Sequence, residues 1–408
     1  MINLKNIIKK SFIITLIIIF FTAFSNSYEA LNIDNLALVV ALGIDSTNTD
    51  KIKVTFQFVN PPSTSEGSNQ ETKILEDAVE ATSIPNAINI MNSYLARKLD
   101  LSLCRNIIFS EEIAQKGISS YIYTLMNDVQ VRPTSNIIVT TCTANLYIKK
   151  SIPSLETSIT RYYDIFTNSS KYTGYVSNAT IGDFYNALVC NSCEPYAILG
   201  GVSSSKANSS ESNNSNDSEI KSGSSPISGT RSAENIGMAA FKHDKLSGEL
   251  TSMETVCFHI LRNNLNSFLI SIPNPSDKNS NLDILIIPKD KTKINVNIIN
   301  NSPFIKINTT FNAKIYSIDE NSDYLNSNII SAIETSCNKY LENIISDYLY
   351  KTSLVFKSDI NGLGKYALLR FRTNSDFTNY NWTENYKNST FKVNVETNVD
   401  SGLFLNKT

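Results

Sequence analysis

Lys5, Lys9 and Lys10 precede an uncharged run from residue 11 to residue 28, whose apolar centre at residues 12–24 is dominated by Ile, Leu and Phe. A charged start followed by 7–15 apolar residues has the layout of a secretory signal. A spanning helix needs about 20 apolar residues, so the run is short for one, and an anchor remains open beside a signal. Ala23, Phe24 and Ser25 make a small-x-small cleavage site before Asn26. An ordinary buried helix fits less well, because three lysines and then an apolar block have no amphipathic period. With the lysines held in the cytoplasm, everything after the run is expected on the far side of the membrane. No comparable apolar stretch follows, so one export or anchor signal over residues 1–25 is expected and no further span.

The chain has 408 residues and a formal net charge of -2, enough for two or three domains and without the basic excess that nucleic acid selects. Six cysteines spread over this length do not make a disulfide-stapled small fold.

Residues 36–45, LALVVALGID, are nearly continuous in apolar residues and predict a strand; Ile52, Val54, Phe56 and Phe58 alternate with polar residues and predict its hairpin partner. Residues 61–72 are a Pro-, Ser- and Gly-rich loop. Ser83 caps a helix with Pro85 in its first turn and Ile84, Ile88, Met91 and Leu95 on one face. A second helix is expected from Ser110 through Glu111 and Glu112 to Leu125, with Ile118 and Ile122 on its stripe. Strand-like runs at 106–109, 136–143, 196–202 and 235–241 alternate with these helices, as in a mixed sheet with helices packed on it. Between the last two strands, residues 203–232 are Ser, Asn, Gly, Lys and Glu in low complexity, a stretch too polar to offset its own ordering entropy and therefore expected to be disordered. Strands at 282–287, 293–299 and 304–316, a long helix over 324–349 and a closing strand at 391–399 complete a C-terminal unit. The predicted fold class is α/β (α+β), with three consecutive domains, each a mixed or antiparallel sheet with packed helices. Their expected extents are 26–185, then 186–281 with the insertion at 203–232, then 282–408.

Chemistry is sparse. Only His243 and His259 are available as imidazoles, and no G-x-S-x-G, H-E-x-x-H or Walker loop occurs. Gly362, Gly364 and Ala367 fit G-x-G-x-x-A, but polar Lys357, Ser358 and Asp359 stand where a dinucleotide site has an apolar strand, so a helix-flanking loop is expected. Cys190 and Cys193 form a C-x-x-C at the end of an apolar helical run, whereas a redox motif opens a helix; a structural disulfide or two incidental thiols are the alternatives. Cys190, Cys193, Cys257 and His259 are zinc-ligand types without a recurrent zinc spacing. No catalytic, cofactor-binding or metal residue is therefore assigned. An exported hydrolase built on paired carboxylates and an exported solute-binding protein stand as alternatives, the second expecting two similar lobes that the sequence does not show.

Four blocks resemble a known family. Residues 36–61, LALVVALGIDSTNTDKIKVTFQFVNP, residues 96–118, ARKLDLSLCRNIIFSEEIAQKGI, and residues 235–255, NIGMAAFKHDKLSGELTSMET, are similar in order and spacing to the Ger(x)C family, the C subunits of spore nutrient germinant receptors. DINGLGKYALLRF at 359–371, Trp382 and FKVNVETNV at 391–399 resemble its closing segment. The resemblance implies a three-domain, non-enzymatic subunit on the outer face of the spore inner membrane. It implies assembly with a membrane-bound A subunit and a transporter-like B subunit in nutrient-triggered germination, and no cofactor. Members carry a lipidated Cys before the opening hairpin in a pattern like G-C-W-D, and here that position is Ser27. Serine cannot form the thioether, so no diacylglycerol is expected.

Overall fold

The computed structural model describes residues 11–17, 20, 33–59, 74–153, 155–156, 158–203, 220–227, 232–275, 280–316 and 326–399. The chain divides into two compact units, Met1–Leu36 and Ala37–Thr408. In the first, residues 11–17 are helical, and Phe12, Ile13, Ile14 and Leu16 are exposed. Among the described residues no helix is long and apolar enough to cross a membrane. Ser27 and the cleavage site lie outside the described residues, as does the loop at 61–72.

The second unit opens with the expected hairpin, β1 (Leu36–Ser46) antiparallel to β2 (Ile52–Val59), and β3 (Ile74–Ala81) extends it. Helix α1 (Ile84–Tyr94) begins as the sequence requires: Ser83 accepts the Asn86 N–H, Pro85 sits in the first turn, and Ile84, Ala87 and Met91 are buried. After β4 (Lys98–Asp100) comes β5 (Asn106–Ser110), parallel to β1.

The single helix expected from Ser110 to Leu125 is two, α2 (Glu111–Lys116) and α3 (Ser119–Met126). The break is Gly117, at φ +114°, where a Cβ would meet the Asp244 carboxylate at 2.7 Å. Asp244 then takes over the amides that a continuous helix would have used. Its carbonyl accepts the Ile118 N–H, and its carboxylate accepts the Ser119 hydroxyl at 2.7 Å. A tertiary partner 125 residues away thus outweighs helix propagation.

Strand β6 (Asn136–Thr140), helices α4 (Ala144–Lys150), α5 (Ile159–Ile165) and α6 (Ile181–Leu188), and β7 (Tyr196–Val202) follow. β8 (Ala233–Lys242) and β9 (Lys245–Leu250) close the sheet. Among the described residues it has nine strands in the order β3-β2-β1-β5-β6-β7-β8-β9, with β4 beside β1. The centre, β1-β5-β6-β7, is parallel and the flanks are antiparallel. The sheet runs on without interruption past residue 186, where a domain boundary was expected.

Residues 220–227, inside the stretch expected to be disordered, are bound to the sheet. The Ser222 hydroxyl donates to the Leu199 carbonyl and accepts the Ile236 N–H, and Glu234 receives the Gly223 N–H and the Ser225 hydroxyl. Composition does not show these bonds because they join the segment to strands on either side of it. Residues 204–219 and 228–231 lie outside the described residues.

Helix α7 (Ser252–Arg262) starts with a capping box, Thr251 and Glu254, and leads to the second sheet. That sheet has β10 (Phe268–Pro273), β11 (Asn281–Pro288), β12 (Lys293–Ile299), β13 (Ser302–Ile315) and, last in the chain, β14. β10, whose FLISIP alternates in burial, is a strand the sequence reading overlooked. The expected long helix is α8 (Ser327–Tyr350), burying Ile333, Cys337, Leu341 and Ile345. Short helices α9 (Gly364–Leu368), α10 (Asn374–Tyr380) and α11 (Trp382–Asn385) precede β14 (Thr390–Val399), which pairs in parallel with β13.

β8 is the wall between two cores. Ala239 and Phe241 pack into the first, while Met238 and Ala240 face the second, as strand alternation requires. The second core therefore begins well upstream of Leu282, with β8, α7 and β10 contributing to it.

Candidate functional site

Polar chemistry concentrates at the seam beside β8. The loop after α6 is pinned by the Cys190–Cys193 disulfide, the structural alternative for that pair. It delivers the Glu194 side chain into the interior, 1% exposed. One carboxylate oxygen accepts the His243 N–H at 2.5 Å, and the other, Oε1, has no partner. His243 sits at φ +55° in the turn between β8 and β9, and its ring is largely exposed. The next residue, Asp244, is the one that holds the α2–α3 break. One turn thus fastens the first core's helices and the Glu194 loop together.

Asp359 is the second buried carboxylate. Oδ1 accepts the Leu363 N–H at 2.9 Å; Oδ2 accepts the Gly364 N–H and the Trp382 indole N–H, both at 2.8 Å. This explains the G-x-G-x-x-A sequence. Gly362 takes φ +67°, and Gly364 lies against Trp382 and Ser192, where a Cβ would meet Trp382 Cδ1 at 2.7 Å. In a dinucleotide loop such amides face a phosphate; here an internal carboxylate occupies two of them. The motif is a packing joint, the helix-flanking loop expected.

Burial dominates the electrostatics of both acids. It pushes the Glu194 carboxyl up to about 7, with Asp359 and Glu384 adding to the rise and the His243 N–H and Lys242 opposing it. Burial also raises the Asp359 carboxyl, against the pull of its hydrogen bonds to Leu363, Gly364 and Trp382. Lys242 is paired with Glu384 at 2.9 Å across the same seam. Asp359 is buried and accepts three N–H donors of the fold, and the Glu194 side chain is buried. Both carboxyls are therefore held above the ordinary carboxylate range, chiefly by burial.

The structure does not bring the four zinc-type residues together. Cys190 and Cys193 are oxidised, Cys257 is a buried thiol, and His259 Nε2 lies 3.0 Å from the Val176 carbonyl. Among the described residues no three His, Cys, Asp or Glu side chains form a group suited to a metal. Sequence reasoning missed Glu194 and Asp359. The only local signal was a lone acid beside Cys193 and another before the glycines, and nothing in either neighbourhood foretells burial.

Residues 29–199 match the family described as the spore germination protein N-terminal domain, and residues 236–402 match the spore germination B3/GerAC-like C-terminal family. The chain belongs to the Ger(x)C family. This Ger(x)C protein is 22% identical over 367 residues to the spore germination protein GerQC of Bacillus cereus, covering 90% of this chain and 92% of that protein. The crystal structure of the GerBC protein matches with a TM-score of 0.51 at 17% identity, over 88% of this chain and 96% of that one, and shares the fold. The first family segment ends within β7 and the second begins within β8, the strand that divides the two cores. Membership connects the protein with spore germination and with germinant receptors.

Proposed function

We propose that this Ger(x)C protein is a non-enzymatic, extracytoplasmic subunit of a spore germinant receptor, assembling with A and B subunits at the spore inner membrane. The observation that carries the reading is the presence of both family segments, in order, over nearly the whole described chain. Two features support it. The exposed apolar side chains Phe12, Ile13, Ile14 and Leu16 follow three lysines, the layout of an export or anchor signal. The buried carboxylates are engaged in joining parts of the fold, which favours an assembly subunit over the carboxylate hydrolase. Ser27 in place of the lipidated Cys means that attachment rests on the N-terminal segment or on partner subunits.

An affinity-tagged chain expressed in its spore-forming host tests this. The protein is expected in the spore membrane fraction together with a transporter-like subunit and an A-like subunit, and its deletion is expected to abolish one nutrient response. A protein recovered alone from the cytosol with Met1 retained would overturn the reading. Incorporation of labelled palmitate would overturn the attachment proposal, and intact mass distinguishes a cleaved from an uncleaved N-terminus.

A further inference from the structure

One face of the second sheet is buried in the second core, where Ile305, Ile307, Phe311 and Val395 join Ile333, Cys337, Leu341 and Ile345 of α8. The alternate residues of β12, β13 and β14 point the other way. Register sets them in three rows: Asn297, Phe304 and Thr390; Asn295, Lys306 and Lys392; Lys293, Asn308 and Asn394. Lys293, Lys306 and Lys392 are exposed. Arg370 adds a fourth cation beside the middle row, its guanidinium donating to the Val296 carbonyl and to Asn295 Oδ1, each at 2.7 Å.

No acid stands in these rows. The next one brings Glu396, opposite Thr310, whose hydroxyl the Asp290 carboxylate accepts. None of the four cations is in an ion pair among the described residues. Lys306 and Lys392 are direct partners on neighbouring strands, which lie about 4.8 Å apart. Like charges placed opposite one another destabilise a sheet. The neighbouring amides bond to each other, Asn394 Nδ2 donating to Asn308 Oδ1 at 2.7 Å. The whole chain has a net charge of -2, so these cations are gathered on one face of a chain with no general basic excess. The fold gains nothing from the pairing, and an anion laid across the rows removes the repulsion.

We propose that this face docks on an anionic lipid surface, the lipid phosphates meeting Lys293, Lys306, Lys392 and Arg370. Basic clusters hold anionic membranes once they reach about four to eight cations. Ile299, on the same face at the end of β12, is 54% exposed, and an apolar side chain beside cations suits the boundary between headgroups and acyl chains. The membrane location proposed above, on which this reading rests, and the exposed Phe12, Ile13, Ile14 and Leu16 favour lipid over an acidic protein. Docking is measured on the purified chain, whereas location and partners are measured in the spore, so the two readings fail separately.

The test acetylates the whole chain in the presence of vesicles and reads the rate at each lysine by mass spectrometry. Vesicles of phosphatidylcholine and phosphatidylglycerol in equal parts are expected to slow Lys293, Lys306 and Lys392 at least about fivefold relative to phosphatidylcholine alone, since one cation contributes about 1 kcal/mol at an anionic surface. Lys149 and Lys150, exposed at the end of α4, are the internal control and are expected to keep their rates. Salt at about 0.5 M is expected to remove the protection. K306Q, an exposed change that also relieves the repulsion, is expected to lower the protection of Lys293 and Lys392 by about fivefold. Equal rates on the two vesicles, or equal slowing of Lys149 and Lys150, would overturn the proposal. Slowing by poly-glutamate but not by the anionic vesicles would overturn it in favour of an acidic protein.

Discussion

The two sheets bury their strands differently. At the centre of the first, β5 is buried at every residue from Asn106 to Ser110, and β1 nearly so. In the second, β11 and β13 alternate buried and half-buried residues along their length. Parallel strands with both faces covered read as continuous apolar runs, while an antiparallel sheet can be covered on one face and read as alternation. The difference teaches where the molecule tolerates change: throughout the middle of the first sheet almost nowhere, in the second on every other residue.

Paired alanine substitutions test that contrast most severely. Ile107 and Ile108 point to opposite faces of β5 and both are fully buried, so either change to Ala is expected to cost about 2–5 kcal/mol. In β11, Ile284→Ala should cost a similar amount, but its neighbour Leu285→Ala, on the half-buried face, less than about half of it. Urea unfolding followed by the fluorescence of Trp382, the single tryptophan, reports on the second core, and far-UV dichroism on the whole chain. Equal losses at Ile284 and Leu285 would break the comparison.

The cores also differ in the sign of the ionisable group each end of the seam hides. Glu194 folds with its carboxyl raised from 4.5 to about 7, so the native state binds more protons than the unfolded chain in that window. Its contribution is full below pH 4.5 and lost as pH rises to about 7. His259 folds with its imidazole lowered from 6.5 to about 4. Its contribution is full above pH 6.5 and lost as pH falls to about 4. Each swing is on the order of 3 kcal/mol, and between pH 4.5 and 6.5 the two oppose one another. Glu194→Gln should therefore leave stability rising with pH across this overlap, and His259→Gln should leave it falling. Urea midpoints of the two variants at pH 4.5, 5.5 and 6.5 give the slopes, and parallel slopes would contradict the assignment.

Asp359→Asn comes next. The amide retains one acceptor, but its NH2 faces at least one of the three N–H donors that Asp359 now receives. A loss of about 1–3 kcal/mol is expected, read by Trp382 fluorescence. A neutral result would mean that the carboxyl is already protonated and the joint is held by packing.

The smallest effects lie in the polar insertion. Removing residues 204–219 should change stability by less than about 1 kcal/mol, since loop-closure entropy varies slowly with length. Extending the deletion through residue 227 also removes the Ser222 bonds to Leu199 and Ile236 and those from Gly223 and Ser225 to Glu234, and should cost more. Equal stability of the two deletions would show that residues 220–227 contribute nothing.

What the sequence determined by itself was local and periodic. The apolar block of β1, the alternation of β2, the Ser83 cap with Pro85 and the stripe of α8 each specify an element within its own length, because backbone geometry repeats every two or 3.6 residues. Ordered family blocks extended that to a lineage. Tertiary structure alone decided where helices break, which acids are buried and where one core ends. Gly117 ends α2 because Asp244 arrives from another element, and β8 divides its own side chains between two cores. Glu194, Asp359 and His259 acquire their chemistry from neighbours distant in sequence. Burial is set by what packs on a residue, and a single sequence records the residue without its packing partners.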